Sequence, residues 1–302
     1  MKKALYYLFV NNKFIEFLGS KVLSMTVPPI VGLYYGTLDI WGDNWPIVKN
    51  YQSIHEVAFT LLATFTIGIL FLKGVSEAFK GAVAKKYEAL LDALMVLFNS
   101  LVKRMRDRYF QKASTLKVNA DAFKIFTQPS EQLEFLLDGT KRFLVDGLGI
   151  ANKQIGVTII QGVESENKWW YAFKCDSQKQ HTRARDIMGG SSAARYALEQ
   201  GDSVFIPDIR KGLKEEAFLP SKRSVKSKSG SIFCKPVRVN VSNIDYVYIF
   251  TIAIYGQYVC TPYDVEECKA CERILDEIAD RIELELYLYS MADFKDKKGK
   301  AA

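Results

Sequence analysis

Arg183 and Arg185 stand just ahead of Gly189-Gly190-Ser191-Ser192, and Arg195 follows one helical turn later. Glycine and serine mark a helix start, where the first backbone N–H groups have no partner within the helix. Those donors, together with the helix dipole, attract anions. The chemistry expected of Arg183, Arg185, Ser191, Ser192 and Arg195 is therefore recognition of a small anionic group, nucleotide-like in size and charge, not the making of bonds. A second basic run, Arg210 to Lys228, sets seven lysines and arginines against Glu215 and Glu216. Its stretch Lys222-Arg223-Ser224-Val225-Lys226-Ser227-Lys228 reads equally well as a solvated loop. No aromatic residue interleaves the charges of that stretch as a stacking platform for bases would, so nucleic acid is not an expected partner.

Conventional catalysis has little to work with. His55 and His181 are the only histidines, and there is no phosphate loop, triad spacing or kinase signature. The acids Asp276 and Glu277 read as a solvated helix face. The five cysteines are Cys175, Cys234, Cys260, Cys268 and Cys271, an odd count that suits reduced thiols. Cys268 and Cys271 share a helical apolar stripe, where free cysteine usually packs a core, and a lone Cys-x-x-Cys is a poor zinc site. No catalytic residue, metal or cofactor is expected. A thiol-dependent enzyme using Cys234 and Cys175 is the enzymatic alternative.

The elements that must position these residues read as an α+β domain. Leu133, Leu136, Leu137 and Leu144 mark an amphipathic helix, and strands are expected at Gly156–Gln161, Trp169–Phe173, Ser203–Ile206, Ser231–Val239 and Tyr246–Tyr255. The last, densest in β-branched and aromatic residues, should be central. A short helix begins near Ser191-Ser192 and ends around Gly201. Thr261, Pro262 and Asp264 open a closing helix whose inner stripe is Cys268, Cys271, Leu275, Ile278, Ile282 and Leu286. Residues 291–302 read as a solvated, disordered tail.

Three stretches carry a family resemblance. Ala194-Arg195-Tyr196-Ala197-Leu198-Glu199-Gln200-Gly201-Asp202-Ser203-Val204-Phe205-Ile206-Pro207-Asp208 looks like a helix, glycine turn, strand and aspartate in series. Ser229-Gly230-Ser231-Ile232-Phe233-Cys234-Lys235-Pro236-Val237 looks like the next strand, and Thr261-Pro262-Tyr263-Asp264 like the start of the closing helix. In this order they resemble a GAF domain, a small-molecule-sensing relative of the PAS fold, over residues 127–290. The resemblance implies a six-stranded or similar antiparallel sheet, helices on one face and a ligand pocket on the other, often in a homodimer whose terminal helices continue as a signalling stalk. It also implies ligand contacts from Asp208 and Phe233, and a pocket lid in the Arg210–Lys228 run. The Phe-x-x-x-Asp-Glu end of the cyclic-nucleotide signature is broken here, with Cys260 in place of phenylalanine and Val265 in place of glutamate, so cyclic AMP or GMP is not the expected ligand. No cysteine has a bilin-attachment context.

Ahead of this domain lie two uncharged stretches, Val22–Leu38 and Val57–Leu72, which extend to spans of about 17–38 and 54–72 if Phe17, Leu18 and Ile54 are counted. They suggest a transmembrane helical hairpin over residues 1–72. Pro28-Pro29 should kink the first span or make it re-entrant. A pair of buried core helices is the alternative. Lysines 2, 3, 13 and 21 precede the first run and lysines 73, 80, 85 and 86 follow the second, against Lys49 alone between them, which sets both termini in the cytoplasm of a multi-pass protein of the cell (inner) membrane. Ala4–Val10 would lie along the membrane surface. The net charge of +7 among 302 residues favours anionic lipid.

Residues 73–126 read as a stalk and join. Tyr87, Leu91, Leu94, Phe98, Leu101 and Met105 repeat at 4-3-4-3-4 spacing, a seam for a partner helix. Leu90, Leu97 and Val102 widen the face, so the stalk either pairs with a second copy as a coiled coil or packs on the chain's own domain. The whole reads as a membrane-anchored sensor signalling from a ligand pocket to its spans, with a membrane-disrupting effector as one form. A tethered protein-interaction scaffold without a small-molecule ligand is the alternative.

Overall fold

The computed structural model describes residues 17–18, 20–41, 45–118, 120–176, 182–215, 227 and 229–301. The Ala4–Val10 segment, His181 and most of the basic run Arg210–Lys228 lie outside them. The chain divides into two compact units, Met1–Glu88 and Ala89–Ala302.

In the first unit, helix α1 (Lys21–Trp41), a single turn α2 (Pro46–Asn50) and the start of α3 (Gln52–Ala113) form a hairpin. Its arms run in opposite directions, because residues early in α1 meet residues late in the second arm. Lys73 Nζ donates to Ser24 Oγ at 3.0 Å, while Tyr34 Oη and His55 Nδ1 share a hydrogen bond of 2.8 Å. Tyr35 and Phe59 meet with their rings tilted and their centroids 5.1 Å apart. Ser24, Val31, Thr66 and Ile69 are buried along the seam, and Leu33, Leu61, Phe65, Ile67 and Phe71 are exposed. Among the described residues one helix, Gln52–Ala78, is long and apolar enough to cross a membrane, with mean hydropathy 1.9 and only 11% of its apolar window buried. The first expected span does not reach that apolarity. Pro28 and Pro29 stand inside α1, and its glycines, tyrosines and Asp39 dilute the run.

The second unit is a mixed α+β domain. After α3 come α4 (Ala122–Thr127), α5 (Pro129–Asp146), β1 (Ile155–Val163), β2 (Lys168–Asp176), α6 (Ala184–Met188), α7 (Ala193–Gln200), β3 (Val204–Ile206), α8 (Ile209–Lys214), β4 (Gly230–Val241), β5 (Ile244–Tyr255) and α9 (Val265–Ala301). The five described strands form an antiparallel sheet in the order β2-β1-β5-β4-β3. β5 lies at its centre, as its density of Ile, Tyr and Phe requires: Tyr248, Ile249, Phe250 and Ile254 are each fully buried.

Alternation along the strands builds two cores. On one face Phe233, Tyr248 and Phe250 meet α5 and α9; Tyr248 Oη bonds Ser290 of α9 at 2.9 Å, and Lys235 of β4 pairs with Asp280 of the same helix. On the other, Ile160, Trp169, Cys234, Val247 and Ile249 pack on Met188, Ala194, Ala197 and Leu198 of α6 and α7. The register of β1 and β2 shifts between Ile159 and Ile160, leaving Ala172 unpaired. This bulge reverses the alternation, so Trp169 and Tyr171 face α6 and α7 while Phe173 meets Tyr289 of α9 edge-on at 5.2 Å.

Two sequence expectations change here. The closing helix does not stop at Ser290: it continues to Ala301, and the supposed tail carries Lys295, which bonds Asp121 at 2.6 Å, and Lys297, which pairs with Asp293 one turn back at 2.7 Å. Those pairs and a run without proline sustain the helix. Nor is 73–126 a separate stalk. Leu90, Leu94, Leu97 and Leu101 of α3 are buried, while Leu91 of the proposed seam is 53% exposed. The bare Cα of Gly139 on α5 accommodates Leu97, since a β-carbon there would lie 2.3 Å from its Cδ1. The expected seam thus splits between two sides of the helix.

Polar contacts fix α3 to the domain. Arg108, buried, donates to the carbonyls of Phe126 and Thr127 at 3.4 and 2.9 Å and to Gln132 Oε1 at 3.1 Å. Arg281 of α9 bonds the buried Glu285 at 2.5 Å and reaches Met105 Sδ. Burial raises the Glu285 carboxyl above its ordinary range, against the pull of Arg281 and Arg108.

Glu272 on α9 is also pushed up, by burial first and then by Asp276 and Asp202. A carboxyl raised in the folded state favours folding below its unfolded value and loses that contribution as pH rises through its folded value. Glu272→Gln should therefore raise the melting temperature at pH 7 and leave it unchanged near about pH 4, where both states bind the proton. Melting curves at the two pH values check this.

Candidate functional site

Helix α7 begins where serine and glycine end α6. Ser192 is extended at φ −106° and ψ 163°, and its side chain accepts the Arg195 N–H at 3.1 Å. Gly201 closes the helix in the left-handed region at φ 74°, where a side chain would strain the turn. Both ends were legible in the sequence. Beside the N-terminus lies an open depression of roughly 890 Å³, lined by Gly189, Gly190, Ser191, Ser192, Arg195 and Tyr196, and walled by Glu164, Asn167, Met188 and Glu199.

Of the seven residues assigned to a ligand, Ser191, Ser192 and Arg195 come together here. Arg183 and Arg185 flank or belong to α6 and are exposed, but neither lines the depression. Asp208 lies elsewhere, capping α8 by accepting the Arg210 N–H at 2.9 Å. Phe233 is on the α5 and α9 face of the sheet, packed edge-on against Phe250 at 6.3 Å. β4 is apolar on both faces, so alternation alone could not say which side Phe233 takes. The residues sequence reasoning missed are Tyr196, 46% exposed at the rim, and Glu164, which arrives from the β1–β2 turn and bonds Arg238 at 2.8 Å. Nothing in the local sequence of Glu164 signals its place.

The electrostatics are mixed. Arg195 Nε bonds Glu199 at 2.7 Å one turn along α7, so its guanidinium is oriented across the helix and keeps its remaining donors free of that carboxylate. Two acids and one arginine around serine hydroxyls suit a ligand that carries an anionic group together with donors of its own, with Glu199 held by Arg195 and Glu164 by Arg238 until it binds. Another depression, roughly 520 Å³ between α4 and the end of α9, holds charges that are already matched: Asp121 with Lys295, and Lys124 with Asp296 at 4.0 Å. Lys295 holds the Asp121 carboxyl below its ordinary value.

The thiols expected of an enzyme are badly placed for one. Cys234 is buried under α7 and its thiol is pushed up to about 12 by burial. Cys175 donates to Asp138 at 2.8 Å. Among the described residues no group of three histidines, cysteines or acids is arranged to hold a metal ion.

Ser192→Ala should lower stability by about 1 kcal/mol, the ordinary cost of losing an N-cap, with the helix content of the domain otherwise kept. Urea unfolding followed by circular dichroism measures it.

No family model matches the chain, and no curated protein does. Among solved structures it is similar to the GAF domain/HD domain protein of Geobacter sulfurreducens, at TM-score 0.33 and 11% identity, over 55% of this chain and 99% of that one. It is also similar to the GAF domain of a phosphoenolpyruvate-protein phosphotransferase from Coxiella burnetii, at TM-score 0.35 and 9% identity, over 70% of this chain and 98% of that one. The α+β class rests on the strand order and helix packing of the chain itself.

Proposed function

We propose that the chain is a membrane-anchored sensor whose GAF-like second unit binds a small, nucleotide-like anion at the start of α7. The observation that carries this reading is the convergence of Ser191, Ser192, Arg195 and exposed Tyr196 on one depression. Phosphate oxygens would take the serine, glycine and arginine donors, a base would lie on the Tyr196 ring, and base or sugar donors would meet Glu164 or Glu199. The anchor is supported by the apolar, outward-facing surface of Gln52–Ala78. In this reading both termini are cytoplasmic, the protein is multi-pass in the cell membrane, and no chemistry is catalysed.

Signalling requires that the ligand prefer one arrangement of α3 over another. A homodimer would supply the two arrangements. Support for one comes from a different row of α3 than the sequence suggested: Leu91, Met95 and Val102 are 53%, 58% and 62% exposed, at 4- and 7-residue steps suited to a partner helix. Membrane disruption is the output we favour, supported by the row Gln52, Glu56, Thr60, Thr64 and Gly68, exposed at every fourth position of an otherwise apolar helix. Thr60 and Thr64 return their hydroxyl protons to the carbonyls of Glu56 and Thr60, which lowers the cost of placing them in lipid.

The full chain in detergent should show a raised melting temperature with one class among mono-, di- and cyclic oligonucleotides, because a ligand of the folded state stabilises it. Arg195→Ala should remove the rise. The same compound should release dye from vesicles containing the protein. A second reading, a tethered scaffold that binds a protein and no small molecule, is favoured by the filled face beneath α6 and α7, where Met188, Leu198 and Cys234 occupy the space a buried pocket would need. Unmoved melting curves across the nucleotide series would select it.

A further inference from the structure

Three of the five cysteines gather where β5 leaves the sheet and α9 begins. Cys260 Sγ lies 3.1 Å from Cys268 Sγ, and Cys271 also hydrogen-bonds the Cys260 thiol. Cys260 and Cys271 are buried, while Cys268 is half-buried and additionally touches the carbonyl of Thr261 at 3.4 Å. Two thiols on a turn and a first helical turn, with sulfurs already inside van der Waals contact, need little backbone movement to reach bonding distance. The turn between them is ordered by Asp264, whose side chain accepts the Glu267 N–H at 3.0 Å and whose own N–H donates to the Thr261 carbonyl at 2.9 Å.

We propose that Cys260 and Cys268 are an oxidisable dithiol that locks the entry of the closing helix, with hydrogen peroxide as oxidant. The more accessible member reacts first. The Cys268 thiolate attacks one oxygen of the peroxide, the O–O bond breaks, and Cys268 becomes a sulfenic acid while the other oxygen leaves as water after taking a proton. The Cys260 sulfur then attacks the Cys268 sulfur, the S–O bond breaks, and the hydroxide leaves as a second water with the Cys260 proton. Two thiols lose two electrons and the peroxide gains them. Cys268 suits the first role because the Cys260 thiol donates to it and lowers its pKa, against burial and the acids Glu267, Asp264 and Glu272. Cys260 suits the second: its proton is held chiefly by hydrogen bonds to Cys268 and Cys271, which raise its pKa, so it resolves and does not initiate.

The bond would staple the exit of the central strand to the first turn of the helix that carries Glu285, Ser290 and Lys295. Oxidation would therefore stiffen α9 against the sheet without touching the depression at α7.

The test uses the full chain in detergent, treated with hydrogen peroxide, alkylated and digested with trypsin. Both cysteines fall on one peptide, Val239–Lys269, and Cys271 on the next, Ala270–Arg273. The expected result is that Val239–Lys269 loses the mass of two hydrogens and resists alkylation, that Cys271 stays alkylatable, and that a dithiol reductant reverses the change. The melting temperature of the oxidised protein should rise by about 5 °C, as closure of so short a loop allows. Cys260→Ser and Cys268→Ser should show neither change. Full alkylation of Val239–Lys269 after peroxide, a bridge to Ala270–Arg273 or to a second chain, or an unmoved melting temperature in the oxidised wild type would each overturn the proposal. The wild-type peptide map decides the pairing even if a serine variant does not fold.

Discussion

Arg108→Ala is expected to destabilise the second unit by about 3 kcal/mol, the scale of removing one partner from a buried charged network. The guanidinium spends its donors on the last carbonyls of α4 and on Gln132, and its charge faces Glu285. Alanine leaves those carbonyls and the Gln132 amide oxygen buried without donors, and leaves Glu285 with Arg281 alone. The sign of the pH dependence follows. The Glu285 carboxyl is already raised by burial, so its protonated form is the better tolerated one in the fold, and losing Arg108 raises it further. The cost of the substitution should therefore be greatest at neutral pH and shrink as pH falls through the folded value of Glu285, where the carboxyl no longer needs a cation. Urea midpoints of the variant and the parent from pH 7 down to about pH 4 measure this. A cost that grows toward acid would remove Glu285 from the network. Arg108→Lys should recover only part of the loss, because an ammonium group cannot spread its donors over Thr127 and Gln132 at once.

That network also marks where sequence stopped informing structure. The strands were legible because each is a short run of β-branched and aromatic residues between turn formers, and β5 was placed at the centre by density alone. Ser192 and Gly201 announced the ends of α7 through capping chemistry that acts within a few residues. The orientation of α3 was not legible: apolar residues occupy several adjacent rows of that helix, and only the partner decides whether Leu90 and Leu97 or Leu91 and Val102 turn inward. Gly139 on α5 makes that decision, from over forty residues away. Arg108 carried no signal either, since an arginine near a helix end reads as solvated until Gln132 and Glu285 are brought to it. At the site, Ser191, Ser192 and Arg195 are local to one helix start and so were found together, whereas Asp208 and Phe233 were joined to them by family pattern: Asp208 caps α8 instead, and Phe233 lies on the opposite face of the sheet. Cys260 and Cys268 were missed as a pair because one lies on a turn and the other on a helix, and no single periodicity spans both.

Phe65→Arg separates the membrane reading from its soluble alternative by the sign of its effect. Phe65 is midway along Gln52–Ala78 and 52% exposed, so about half of its surface faces the surroundings. If the surroundings are lipid, a guanidinium at the centre of the span costs about 3 kcal/mol on insertion scales, roughly a 100-fold shift out of the bilayer. Snorkelling gives little relief, because either interface is about four helical turns from the arms' midpoint in a helix of this length. If the surroundings are water, an arginine at a half-exposed position is nearly neutral for stability and improves solubility by breaking the patch formed with Leu61, Ile67 and Phe71. Carbonate extraction of membranes from cells expressing the two forms gives the measurement. We expect the parent to remain in the pellet and the variant to divide between pellet and supernatant or be degraded. A parent that extracts completely, with a variant that is simply more soluble, would assign the exposed apolar surface of Gln52–Ala78 to contacts between proteins, and the proposed function would then lose its anchor while keeping its site.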